Sequence, residues 1–159
     1  MIPIQRAPLL TSYAEGHARL CAALAELPGE ALDFRPDPKA WSIREIVFHL
    51  LEGEINWYAR ARFIMSEPGV TILPYDQDRW IGSLGVETHP MDEALELLGL
   101  LRKLLVRRLR SLPEEVWEQS ILHPALGPLT LDRWLELFEP HLPAHLAQID
   151  RNLTAWRQA

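Results

Sequence analysis

The sequence predicts an all-α protein folded as a four-helix bundle. Three observations predict it. Four long stretches repeat apolar residues at spacings of three and four, the period of one helix face. Proline, glycine or a capping residue bounds these stretches. The 159 residues are 48% hydrophobic, enough to bury a core without crosslinks in a single domain spanning 1–159.

The first helix is expected from about Pro8 to Leu27, where Pro28-Gly29 stops it. Glu30 to Ala40 carries Pro36 and Pro38 and reads as a connection. The second helix starts sharply. Ser42 is a natural N-cap, and Glu45 three residues on completes a capping box. Trp41 and Ile46 stand at the positions of a hydrophobic staple. Ile46, Leu50, Gly53, Trp57, Arg60 and Ile64 then mark one face as far as Ser66.

Val70 to Thr88 has no helical period over its whole length but is rich in aromatic and polar residues, so it reads as a functional loop. The third helix follows Pro90, with Asp92 and Glu93 in its first turn and Arg107, Arg108 and Arg110 near its end, complementing the helix dipole. Pro113 stops it. Within 113–129, Gln119 to Leu122 reads as a short extended excursion, with turns at His123-Pro124 and Gly127-Pro128. The fourth helix begins near Thr130 and carries Trp134, Phe138, His141, His145, Ile149, Leu153 and Trp156 on one stripe. One apolar stripe per helix is the pattern of a bundle, and the long connections call for at least one crossover.

Composition excludes several function classes. One cysteine, Cys21, rules out an intramolecular disulfide and any multi-cysteine metal site. A formal net charge of -6 argues against nucleic acid as the main partner. Arg102, Lys103, Arg107, Arg108 and Arg110, spread around the third helix and accounted for by its dipole, interrupt the leucine-rich stretch 95–112, so no segment reads as a membrane span, and the first ten residues lack the apolar centre of a signal peptide. A soluble, cytoplasmic protein with a small-molecule substrate is the expectation.

The fourth stripe carries the strongest chemical signal. His141 and His145 are four apart, so their rings stand one above the other, the spacing at which a helix offers two imidazoles to one ion. Their stripe neighbours, Phe138 and Ile149, are apolar, so the pair points inward. His49 lies mid-way along the second helix beside its inner stripe, and three such rings converge on one ion if the two helices face each other. Three neutral imidazoles leave a coordination position open. The alternative is three core histidines with ordinary hydrogen-bond partners. Gln148 and Glu45, three and four residues from a histidine, are candidates to fix a ligand tautomer from outside; for Glu45 the capping role alone is the stronger reading. Asp76, in the long loop, either serves a substrate or ends a turn. Cys21 reads as a small buried residue, and His17, His89 and His123 stand outside the site.

These motifs carry a resemblance. Trp41-Ser42-Ile43-Arg44-Glu45-Ile46-Val47-Phe48-His49-Leu50 resembles the start of the second helix in the DinB/YfiT-like superfamily. His141-Leu142-Pro143-Ala144-His145-Leu146-Ala147-Gln148-Ile149 resembles its closing signature, and Pro74-Tyr75-Asp76 a loop motif of many members. The resemblance covers nearly the whole chain. It implies up-down-down-up connectivity and a divalent metal, often zinc or nickel, on His49, His141 and His145. It implies a metal-dependent enzyme, either a transferase using a low-molecular-weight thiol or a hydrolase, and a homodimer; a non-catalytic, stress-related metal-binding dimer is the alternative. Tyr75 and Asp76 enter as substrate-binding or catalytic candidates. Pro140 and Pro143 bracket His141, where the family continues an ordinary helix, so a kink is expected within a helix that otherwise runs on.

Overall fold

A computed structural model describes residues Met1–Ala159. In chain order the elements are α1 (Pro3–Leu24), a 3₁₀ turn (Gly29–Ala31), α2 (Ile43–Ser66), α3 (Gln77–Ser83), α4 (Met91–Leu109), α5 (Glu114–Trp117), β1 (Ser120–His123), β2 (Gly127–Thr130), α6 (Leu131–Phe138) and α7 (His141–Trp156). The bundle is made of α1, α2, α4 and the broken rod α6–α7. No helix is long and apolar enough to cross a membrane.

Contacts along the helices set their directions. Arg6 meets Asp132 and Ser12 meets Glu139, so α1 and α6–α7 run parallel. Asn152 Nδ2 donates to Trp41 O at 2.8 Å and Trp134 Nε1 to Trp57 O at 2.8 Å, so α2 runs against that rod. His17 meets Leu95 O and Arg102 meets Tyr13 O, so α4 runs against α1. The result is an up-down-down-up four-helix bundle. Helices α1 and α2 pack on α4 and α7 rather than on each other, so the connection between them crosses a diagonal.

The core has two apolar halves. One is built on Tyr13, Ile64, Leu105, Leu109, Trp134 and Phe138. The other is built on Leu20, Ile43, Ile46, Leu50, Leu98, Leu142 and Ile149. Each bundle helix crosses from one half to the other at a glycine or a polar residue: Gly16, Gly53-Glu54, Arg102 and His141. That layer holds the fold's buried ion pair. Glu54 is fully buried and Arg102 nearly so; Arg102 Nε donates to Glu54 at 2.7 Å and Nη1 to Tyr13 O at 2.9 Å, while the Tyr13 hydroxyl donates to Glu54. Arg102 is therefore no surface charge answering the helix dipole.

Other departures from the sequence reading are instructive. Helix α1 starts at Pro3 and includes Pro8. Buried Arg6 pins its first turns to Asp132 and Glu114 and stacks over Trp117 at 4.4 Å, partners more than a hundred residues away. The long loop contains α3, capped by Asp76, and its Ile81 and Val86 join the core. A parallel bridge, Thr71 to Leu122, ties the loop to β1. The extended excursion is an antiparallel hairpin with Ser120 opposite Thr130; Gly127, at φ +71°, supplies a conformation side chains disfavour. The fourth helix is interrupted at Glu139-Pro140 rather than continuous, because neither Pro140 nor Pro143 has an N–H to donate to the preceding turn. Both residues at the break keep right-handed helical dihedrals, so the stripe holds its direction across it.

Candidate metal centre

The capping box forms as the sequence indicates: Glu45 N donates to Ser42 Oγ at 3.2 Å, and Ser42 N donates to Glu45 at 2.8 Å. This anchored start aims His49 into the bundle. The Trp41 indole lies against His49, with ring centres 4.6 Å apart, and stacks at 23° on His145. Its backbone carbonyl is held by buried Asn152. On the other side His141 stacks at 24° on Phe138. The His141 ring sits against Gly53, where a Cβ would lie 3.1 Å from its Cε1.

The three rings converge. Centroids are 4.7–5.0 Å apart, and one nitrogen of each ring lies within 4.8 Å of the others. No other group of three potential metal-ligating side chains comes together in the chain. Tetrahedral coordination at about 2.0–2.1 Å puts donor atoms about 3.3 Å apart, within the range the rings already offer.

Protonation suits a cation. Burial above all, with the neighbouring rings adding to it, lowers His49 to about 4 and His141 to about 3 from the ordinary 6.5. His145 is lowered by burial as well. All three are neutral at pH 7. The carbonyl oxygen of Gln148 accepts from His145 Nδ1 at 2.8 Å, which leaves the Nε2 lone pair free for a metal. His49 Nε2 and His141 Nε2 face each other at 2.9 Å, and the Nδ1 atoms of both rings are buried without partners. Two facing lone pairs repel unless a proton or a cation lies between them, and buried imidazoles lacking partners are costly.

The remaining candidates spread out. Glu45 is engaged by the cap and by Arg35. Asp76 accepts from Arg79 N at 3.1 Å as the cap of α3. Tyr75 is half-buried, packed on Trp80 and facing Arg60, and burial raises its pKa. None of these three hydrogen-bonds a histidine. Cys21 is half-buried rather than buried, 3.4 Å from His17 Nε2. The sequence reading missed the aromatic walls Trp41 and Phe138, the anchor Asn152 and the seat at Gly53. Gly53 did carry a signal, as a glycine inside a helical stripe, one turn from His49.

Fold and site together define a helical-bundle protein with a partly buried three-histidine cluster fit for a divalent cation. The chain belongs to the DinB superfamily, whose family model matches residues 12–149. A Bacillus mycoides (strain KBAB4) protein named "putative metal-dependent hydrolase" is 31% identical over 130 residues, covering 82% of this chain and 75% of that protein. A Bacillus cereus (strain 03BB102) protein of the same name matches with the same figures. Among solved structures, YfiT from Bacillus subtilis superposes with a TM-score of 0.88 at 25% identity, covering 96% of this chain and 87% of that one. It is described as "a probable metal-dependent hydrolase with an unusual four-helix bundle topology". The cluster and these relatives support a function that depends on a divalent metal.

Proposed function

We propose that this single-domain protein is a metal-dependent enzyme acting on a small molecule in the cytoplasm, either a transferase using a low-molecular-weight thiol or a hydrolase. One observation carries it: His49 and His141 Nε2 face each other at 2.9 Å as neutral bases, with His145 beside them and no fourth protein ligand. His49, His141 and His145 hold the ion, zinc or nickel, and Gln148 sets the His145 tautomer. A divalent ion held by neutral ligands supplies Lewis acidity that makes a thiol or a water nucleophilic at neutral pH. Trp41 and Phe138 exclude water from two sides of the rings. Tyr75 and Asp76 belong to the segment we assign to substrate.

The test is elemental analysis of untagged protein, purified without chelator, beside a His49→Ala/His145→Ala variant, followed by assays with small thiols and with hydrolysable esters or amides. Near-stoichiometric metal in the wild type, little in the variant and activity lost with the metal is the expected outcome. No metal in either, even after added zinc or nickel, overturns the reading.

A second reading, a non-catalytic metal-binding module, has one observation in its favour. A groove of about 790 Å³ lies between α1 and α4 beside His17, Gly99 and Lys103, away from the cluster. Cobalt-substituted protein with no exchangeable ligand position would favour it; an open position counts against it. For either reading we propose a homodimer. Leu97, Leu100 and Leu104 are 42%, 49% and 51% exposed along one side of α4, an apolar stripe a second copy would cover. Sedimentation of wild type as a dimer, and of Leu100→Glu/Leu104→Glu as a monomer, is expected.

A further inference from the structure

Arg60 is the one arginine of the bundle interior with no partner in the chain, and its guanidinium nitrogens reach solvent space. It is 6% exposed. Arg6 and Arg102, equally buried, each hold a carboxylate and a backbone carbonyl. Arg60 has neither a carboxylate within salt-bridge distance nor a hydrogen bond within the chain; burial lowers its pKa, and the one group offsetting that is Tyr75. A guanidinium stays charged in proteins. One whose stem is packed inside, whose nitrogens open on a cavity and which has no carboxylate of the chain beside it is available to an anion from outside.

The surroundings are those of a small binding site. The guanidinium lies over the Trp57 ring at 4.8 Å, with the Tyr75 ring on another side at 5.9 Å. It lines an open cavity of about 340 Å³ with Asn56, Thr71, Ile72 and Leu73. Eleven residues separate it from His49 on α2, roughly three turns and about 16 Å along the axis, and that separation returns to nearly the same face. His49, Gly53, Trp57 and Arg60 thus form one track along the helix, with Tyr75 of the long loop facing its far end.

We propose that Arg60, with the Tyr75 hydroxyl, is a carboxylate-binding site that holds the anionic end of the substrate. The binding stands on Arg60 itself; its use in directing a substrate toward the histidines rests on the metal-dependent reading above. The chemistry selects a carboxylate over a phosphate. A guanidinium matches a planar carboxylate with two parallel hydrogen bonds, and one positive charge balances one negative charge. Glu52 lies close enough to Tyr75 to raise its pKa, so a second negative charge on the ligand meets repulsion there.

The experiment is calorimetric titration of the full-length protein with benzoate, whose ring suits the aromatic walls. Benzamide serves as the neutral isostere and inorganic phosphate as the rival anion. Wild type, Arg60→Met, Arg60→Lys and His49→Ala are compared. Benzoate is expected to bind wild type and His49→Ala within about twofold of each other, since distant sites act independently. Binding to Arg60→Met is expected to weaken by about tenfold or more, with Arg60→Lys between. Arg60→Met should melt close to wild type, because Arg60 holds no ion pair or hydrogen bond in the chain and Met keeps the apolar stem, so lost binding there is not lost folding. Benzamide should not bind. Equal benzoate binding to Arg60→Met, no benzoate binding to wild type, or phosphate binding tighter than benzoate each overturns the proposal. Benzoate binding by a wild type that takes up no metal sinks the metal-dependent reading and keeps this site. Metal uptake without benzoate binding does the reverse.

Discussion

Gly53 is the seat of His141: a Cβ on Gly53 would stand 3.1 Å from Cε1 of that ring. The gap is tighter than ordinary contact, so a side chain there moves the imidazole or α2. Gly53→Ala gains helix propensity worth about 1 kcal/mol while displacing a ligand. The expected outcome is a melting temperature close to wild type and metal affinity weakened about tenfold, the low end of what changes around a ligand cost. Competition with a chromophoric chelator measures it; unchanged affinity would show that the ring yields freely.

Gln148 orders His145 by a single hydrogen bond at 2.8 Å. Gln148→Leu keeps the size and removes the acceptor, so the ring loses its tautomer and orientation. Metal affinity is expected to fall about 10- to 100-fold with the helical circular dichroism signal retained. Gln148→Glu should restore most of it, since a carboxylate also accepts from Nδ1.

The buried pair Glu54–Arg102 makes the next expectation one of stability. Removing one partner leaves the other charge buried and alone. Glu54→Leu is expected to cost about 3–5 kcal/mol in urea denaturation, and Glu54→Leu/Arg102→Met to recover most of that loss. Equal losses in the single and double variants would mean that packing, not charge, dominates the layer.

Acid should destabilise the metal-stripped protein through its own histidines. Burial holds His49 at about 4 and His141 at about 3, below the 6.5 of a free imidazole. Between those values and 6.5 the unfolded chain binds more protons than the folded one, so falling pH favours unfolding. Full stability is expected above 6.5, with a decline from there towards about 4. His141→Phe should flatten that decline. A melting temperature that stays level in wild type over the same window would contradict the burial of these rings.

Much of this protein is legible in its sequence because much of it is local. The Ser42–Glu45 capping box, the stop at Pro113, the extended excursion after Gln119 and the four-residue spacing of His141 and His145 each depend on residues a turn or two apart. Backbone geometry fixes what such neighbours do. The convergence of His49 on that pair was legible too, as inward faces on two long helices.

What only the tertiary structure decided involves partners distant along the chain. Arg102 reads as a surface charge until Glu54, 48 residues away, is seen to hold it inside. Pro8 reads near a helix start until Arg6 reaches Asp132, 126 residues on, and carries α1 back to Pro3. Trp41 reads as a staple until α7 brings His145 beneath it, and Arg60 as one more member of a stripe until no carboxylate is found within ion-pair distance of it. Periodicity says which face of a helix turns inward. It does not say which residues of another helix meet that face, because that depends on the crossing, direction and register of whole elements, and no short stretch of sequence encodes them.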